Sequence, residues 1–89
     1  MIKLIDNYVI QADERCYTLA IDTGKNNKKG KRIYKVVGYY NTIRNATIAC
    51  YKDICRKKVA ENTYTIKEAV QAFKEVEKAL EKAMPKEFK

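Results

Sequence analysis

Arg32-Ile33-Tyr34-Lys35-Val36-Val37-Gly38-Tyr39-Tyr40-Asn41-Thr42-Ile43-Arg44-Asn45 is the stretch in which the chain changes its period. Up to Tyr40 it is β-branched and aromatic, as strands are. From Thr42, whose hydroxyl can cap an orphan amide, apolar residues recur at helical spacing. A boundary near Asn41 therefore separates a β-rich first part from a helical remainder. Simple alternation puts Tyr34, Val36 and Tyr40 on one face of the strand and Ile33, Val37 and Tyr39 on the other. Gly38 marks a bulge or a close backbone approach.

Toward the N-terminus, residues 15–22 place Tyr17, Leu19 and Ile21 on a core face and Cys16, Thr18 and Ala20 on the other, after a turn at Asp13-Glu14. Residues 2–5 and 8–12 are β-prone runs separated by Asp6-Asn7, a pair whose side chains bond nearby backbone. They form one interrupted strand or a tight hairpin. Toward the C-terminus, a helix runs from the Thr42 cap to about Ala60. Ile43, Ala46, Cys50 and Ile54 make one stripe, Ile48, Cys55 and Val59 a second, and Tyr51 lies between them. So wide an apolar arc implies cover on two sides.

Glu61-Asn62-Thr63 connects to a second start signal. In Thr65-Ile66-Lys67-Glu68, a capping box, hydroxyl and carboxylate satisfy reciprocal amides. Ile66, Ala69, Val70, Phe73, Val76, Leu80 and Ala83 then form one helical stripe, and Pro85 stops the helix. The expected fold is α+β, an antiparallel three- or four-stranded meander followed by two helices packed on it. The first helix lies across the sheet, and the second packs on that helix or on the sheet edge. At 89 residues, 1–89 form a single domain with little room for a cofactor cavity.

Composition narrows the function. The chain has 19 Lys and Arg against 11 Asp and Glu, a formal charge of +8, and no histidine. The missing imidazole removes the side chain best suited to proton transfer near neutral pH and the commonest metal ligand, so no enzyme activity, cofactor or metal is expected. Cys16, Cys50 and Cys55 are an odd set without disulfide or zinc spacing, and read as reduced, packed thiols. No apolar run approaches the roughly 20 residues of a membrane span, and the first residues are too soon charged for a signal segment. A cytoplasmic protein of a bacterial host cell, with no membrane partner, is expected.

A positive field of this size suits nucleic acid, an anionic membrane surface or an acidic protein. Lysine outnumbers arginine 15 to 4, which A/T-rich coding also produces without selection for binding. Two clusters stand out. Lys25, Lys28, Lys29, Lys31 and Arg32 lie in a loop from Gly24 to Arg32 that has no acid, and Lys52, Arg56, Lys57 and Lys58 end the first helix. Cations in the helix cluster also complement the helix dipole, and lysines in the loop also keep a sheet edge from pairing. Tyr34, Tyr39 and Tyr40, beside the loop, are candidates for stacking on bases.

Residues 34–46, with Asn7-Tyr8-Val9-Ile10, Tyr17-Thr18-Leu19 and the helix opening at Thr65, resemble a group of small phage and prophage proteins of low-GC Gram-positive bacteria. In that group a strand ending Val-Gly-Tyr-Tyr leads through a Ser/Thr cap into a helix. The resemblance implies no catalytic residue. It implies a phage accessory protein that binds a host machine, including inhibition of a host defence of the anti-CRISPR type. The expected function is thus non-enzymatic binding of a nucleic acid or a host nucleoprotein complex. A protein-interaction module or homo-oligomer, and a nucleotide-sequestering sponge, are the alternatives.

Overall fold

The computed structural model describes residues 1–83. Four strands, β1 (Ile2–Lys3), β2 (Tyr8–Ala12), β3 (Tyr17–Asn26) and β4 (Arg32–Tyr40), precede two helices, α1 (Ile43–Glu61) and α2 (Ile66–Ala83). The strands form one sheet in the order β1-β2-β3-β4 with every neighbour antiparallel. This is the expected meander in its four-stranded form. The expected stop at Pro85 lies outside the described residues.

Local chemistry explains each reversal. Asp6 and Asn7 have φ of 51° and 67°, and Tyr8 N–H donates to the Ile5 carbonyl at 2.9 Å. A two-residue turn with both φ positive matches strand twist, and Asp and Asn tolerate that region best among non-glycine residues, so this is a hairpin rather than an interrupted strand. At the next turn the Asp13 carboxylate accepts Arg15 N–H at 2.7 Å and Cys16 N–H at 2.8 Å. Those two donors hold its pKa below the ordinary value.

One face of the sheet carries Tyr8, Ile10, Tyr17, Leu19 and Ile21, and α1 lies against it. Tyr8, Ile10, Leu19, Ala46, Cys50, Ile54 and Cys55 are buried in one core together with Val76 and Leu80 of α2. Small residues at Ala46 and Cys50 let α1 sit close to the strands. Of the second stripe, Cys55 is buried, whereas Ile48 and Val59 stay partly exposed. The layers run sheet, α1, α2, so the second helix packs on the first.

Both helix starts are capped. Thr42 Oγ1 accepts Asn45 N–H at 3.0 Å, and Thr65 Oγ1 accepts Glu68 N–H at 3.2 Å. The expected reciprocal half of the second cap takes another form: the Glu68 carboxylate accepts from the Thr65 hydroxyl itself, also at 3.2 Å. α1 ends at Glu61, where Asn62 donates its backbone N–H and its side-chain amide to the Lys58 carbonyl.

The simple alternation assigned to β4 is overturned by a bulge. Leu19 pairs with Gly38 but Ala20 pairs with Val36, leaving Val37 without an opposite residue. Beyond that extra residue the faces exchange. Tyr39, opposite Thr18, joins Tyr34 and Val36 on the helix-free face, whereas Tyr40, opposite Tyr17, turns to the core. Gly38 serves both readings offered for it, because a Cβ there would lie 2.6 Å from Tyr40 Oη. Gly38→Ala should cost about 1 kcal/mol, the low end of overpacking because a ring tip can yield, as a lower midpoint in urea denaturation.

Candidate nucleic-acid interface

The lysine segment is less a loop than a ribbon. Strand β3 continues through Gly24, Lys25 and Asn26, and Arg32 opens β4 opposite Asn26, so only residues 27–31 turn the chain. Gly30 N–H donates to the Asn27 carbonyl at 3.0 Å, Asn27 N–H donates to the Lys31 carbonyl at 2.7 Å, and Gly30 has a φ of 79°. This is a three-residue hairpin connection ending in a left-handed glycine. The Asn27 side chain clasps it from within, its Oδ1 accepting Lys29 N–H at 2.9 Å and Lys31 N–H at 3.0 Å.

The ribbon's base is braced as well. Thr23 Oγ1 donates to the Ile33 carbonyl at 2.7 Å, Gly24 N–H donates to Asp22 Oδ1 at 2.9 Å, and Arg32 Nε lies 3.1 Å from the same carboxylate oxygen. The ladder is irregular between Asp22 and Asn26, where Gly24 has a φ of 76°, and resumes at Asn26 opposite Arg32. Lys25, Lys28, Lys29 and Lys31 are exposed, and none has an ion-pair partner among the described residues. Arg32 differs from them because Asp22 already neutralises part of its charge.

The charge of the whole chain concentrates here. Between Asp22 and Asp53 there is no acid, while Lys25, Lys28, Lys29, Lys31, Arg32, Lys35, Arg44 and Lys52 supply eight cations, which equals the net charge of +8. The other 11 cations are matched by 11 acids. Coding bias toward lysine would spread charge over the chain; it does not by itself strip acids from one segment.

The helix cluster is deployed differently. Helix α1 starts beside Tyr40 and runs back along the sheet, because Tyr8, paired with Ile21, donates its hydroxyl to Asp53. Both clusters therefore lie toward the ribbon end of the sheet. Lys57 Nζ sits 3.5 Å from Asp53 Oδ2 and 5.3 Å from the Tyr8 ring centre, so part of its charge is taken up by Asp53 although the side chain stays half exposed. Lys58 is half-buried and lines a shallow groove with Tyr64, Lys67 and Gln71. Lys52 and Arg56 are exposed on one stripe of the helix.

Three features of the site escaped the sequence reading: the Asn27 clasp, the part-buried Tyr8–Asp53 hydrogen bond, and the sharing of one sheet face by Tyr34 and Tyr39. Of these, only the last had a signal, the glycine within β4. The Tyr8 hydroxyl titrates well above its ordinary range, first because it is buried and then because it donates to Asp53. Burial also pushes the Cys50 thiol up to about 12, with Asp53 adding to the rise. Cys50 and Cys55 are buried free thiols, while Cys16 is only half-covered.

Among the described residues no group of His, Cys, Asp or Glu could hold a metal ion, and no helix is long and apolar enough to cross a membrane. The chain matches no protein-family model, no curated protein and no solved structure.

Proposed function

We propose that this chain is a non-enzymatic binding protein for a nucleic acid or nucleoprotein, which it engages with the β3–β4 ribbon. The observation that carries the reading is a braced hairpin presenting Lys25, Lys28, Lys29 and Lys31 with no acid between Asp22 and Asp53. A clasped turn holds its cations without the ordering cost that a flexible loop would incur on binding. A two-stranded ribbon also has the dimensions to enter a nucleic-acid groove.

The non-enzymatic part is supported by the absence of histidine and by the burial of Cys50 and Cys55 as free thiols. The phage origin implied by the resemblance fits this role. A chain of +8 cannot imitate phosphate, so inhibition of a CRISPR-type defence would come from covering guide RNA, competing with DNA for an acidic surface, or binding protein directly.

The test is the affinity for a labelled oligonucleotide between about 50 and 200 mM salt. Four lysine–phosphate contacts give a log–log slope of about −3.6 on duplex DNA and about −2.8 on a single strand. The expected loss over that range is about two orders of magnitude on duplex. Absence of binding at the lower salt, or an affinity indifferent to salt, overturns the reading.

A further inference from the structure

The helix-free face of the sheet has an apolar centre, flanked by the Asp22–Arg32 ion pair toward the ribbon and by Lys3, opposite Val9, on β1. Val9 and Ala20, 4% and 0% exposed, form its floor. Tyr34, Val36 and Tyr39 stand along its β4 edge, opposite Asp22, Ala20 and Thr18 in the ladder, and Tyr39 is 67% exposed. Because those ladder partners are four residues apart on β3, Tyr34 and Tyr39 lie about 13 Å from one another along the sheet. The Met1 sulphur is 3.7 Å from Tyr34 Oη, so Met1 and Tyr34 meet.

This edge is continuous with the lysine ribbon, since β3 and β4 build both. Following β4 inward from the tip, Arg32 comes first, then Tyr34, Val36 and Tyr39: a cation followed by an aromatic platform. The single strand acid directed to that face is Asp22, which Arg32 pairs. Phosphates are thus attracted at one end, and no unpaired strand carboxylate repels them along the platform. A second copy of the chain is disfavoured as the occupant, because joining two such faces brings two +8 bodies together.

We propose that the ligand class is single-stranded nucleic acid, lying along β4 with bases stacked on Tyr39 and Tyr34 and phosphates held by the ribbon lysines, Lys25, Lys28, Lys29 and Lys31. This rests on the anionic-partner reading above and deepens it. Stacking needs unpaired bases with free π-faces, which a duplex keeps stacked inside, and it is tolerant of base identity. The polar groups beside the platform, Gln11 and Thr18, are too few to read a sequence. Val36 supplies an apolar step between the two rings.

Titration of the full chain with labelled oligothymidylate and oligouridylate, and with a duplex of equal length, tests this. Single strands should bind alike and more tightly than the duplex at equal salt, with quenching of the tyrosine emission; the chain has seven tyrosines and no tryptophan. Tyr39→Ala should weaken binding about tenfold without altering the salt slope, and Tyr39→Phe, which keeps the ring, should restore it. The exposure of Tyr39 leaves the fold of both variants intact, as their thermal midpoints would verify. Unchanged affinity in Tyr39→Ala, with lysine variants still lowering the slope, overturns the stacking and leaves the anionic-partner reading standing. No salt-sensitive binding by any form overturns both. A doubled mass in light scattering at high salt, abolished by Tyr39→Ala, assigns the face to a second copy and overturns it too.

Discussion

Tyr8→Ala is expected to remove about 3–5 kcal/mol of stability, the usual range for truncating a large buried aromatic side chain. The ring is 3% exposed between the sheet and α1, and its hydroxyl joins the first turns of the fold to the helix through Asp53. A chain of 89 residues has only about 4–13 kcal/mol to lose, so the variant should be largely unfolded or close to it at 37 °C. Tyr8→Phe separates the two contributions. It keeps the ring, leaves Asp53 with Lys57, and should cost about 1.5–3 kcal/mol as the loss of one hydrogen bond to a charged acceptor. Urea denaturation of the three proteins measures both steps.

The same pair sets an alkaline limit. Folding raises the Tyr8 hydroxyl above its ordinary pKa of 10.0 and the Cys50 thiol above 9.0, to about 12. Above those ordinary values the unfolded chain releases protons that the folded chain retains, so stability falls as pH rises. The contribution of each group is whole below its unfolded pKa and is lost on the way up to its folded value. Stability should therefore be level with respect to these two groups up to about pH 9, decline first through Cys50, and decline faster above pH 10 as Tyr8 joins. The gap between the native chain and Tyr8→Phe should stay constant below pH 10 and shrink above it. A gap that widens there would show that the hydroxyl is not held protonated by the fold.

Much of this architecture is legible in the residues because local signals and long-range packing agree. Thr42 and Thr65 cap the helices they announce, Asp6-Asn7 takes the left-handed pair a tight hairpin demands, and Tyr17, Leu19 and Ile21 do face the core. Helix α1 does lie between the sheet and α2, but of its second stripe only Cys55 is buried, while Ile48 and Val59 are exposed. What resisted reading depends on register. Gly38 signals a bulge but not which residue is extra, yet the extra residue at Val37 exchanges the faces of Tyr39 and Tyr40 and so decides which tyrosine is available to a ligand. The Tyr8–Asp53 pair spans 45 positions, and no local rule links them. Composition likewise marks the lysine segment as basic but cannot tell a loose loop from a clasped one, because the distinction rests on two hydrogen bonds to a single asparagine oxygen.

Neutralising the ribbon should have the largest effect on binding. In a chain carrying Lys25→Gln, Lys28→Gln, Lys29→Gln and Lys31→Gln, the salt slope should fall by about 3.6 on duplex DNA, or about 2.8 on a single strand. Affinity at low salt should drop by two orders of magnitude or more. The hairpin itself should survive, because Lys29 and Lys31 use backbone N–H groups in the Asn27 clasp and none of the four side chains makes an ion pair among the described residues. An unchanged thermal midpoint with a collapsed slope therefore separates charge from folding. Lys57→Gln supplies the opposite pattern. Its ammonium faces Asp53 and the Tyr8 ring, so its loss should lower the midpoint while moving the slope by less than one contact. If Lys57→Gln reduced the slope as strongly as the four ribbon substitutions together, the anion would have to lie along α1, and the ribbon would be only the brace of a sheet edge.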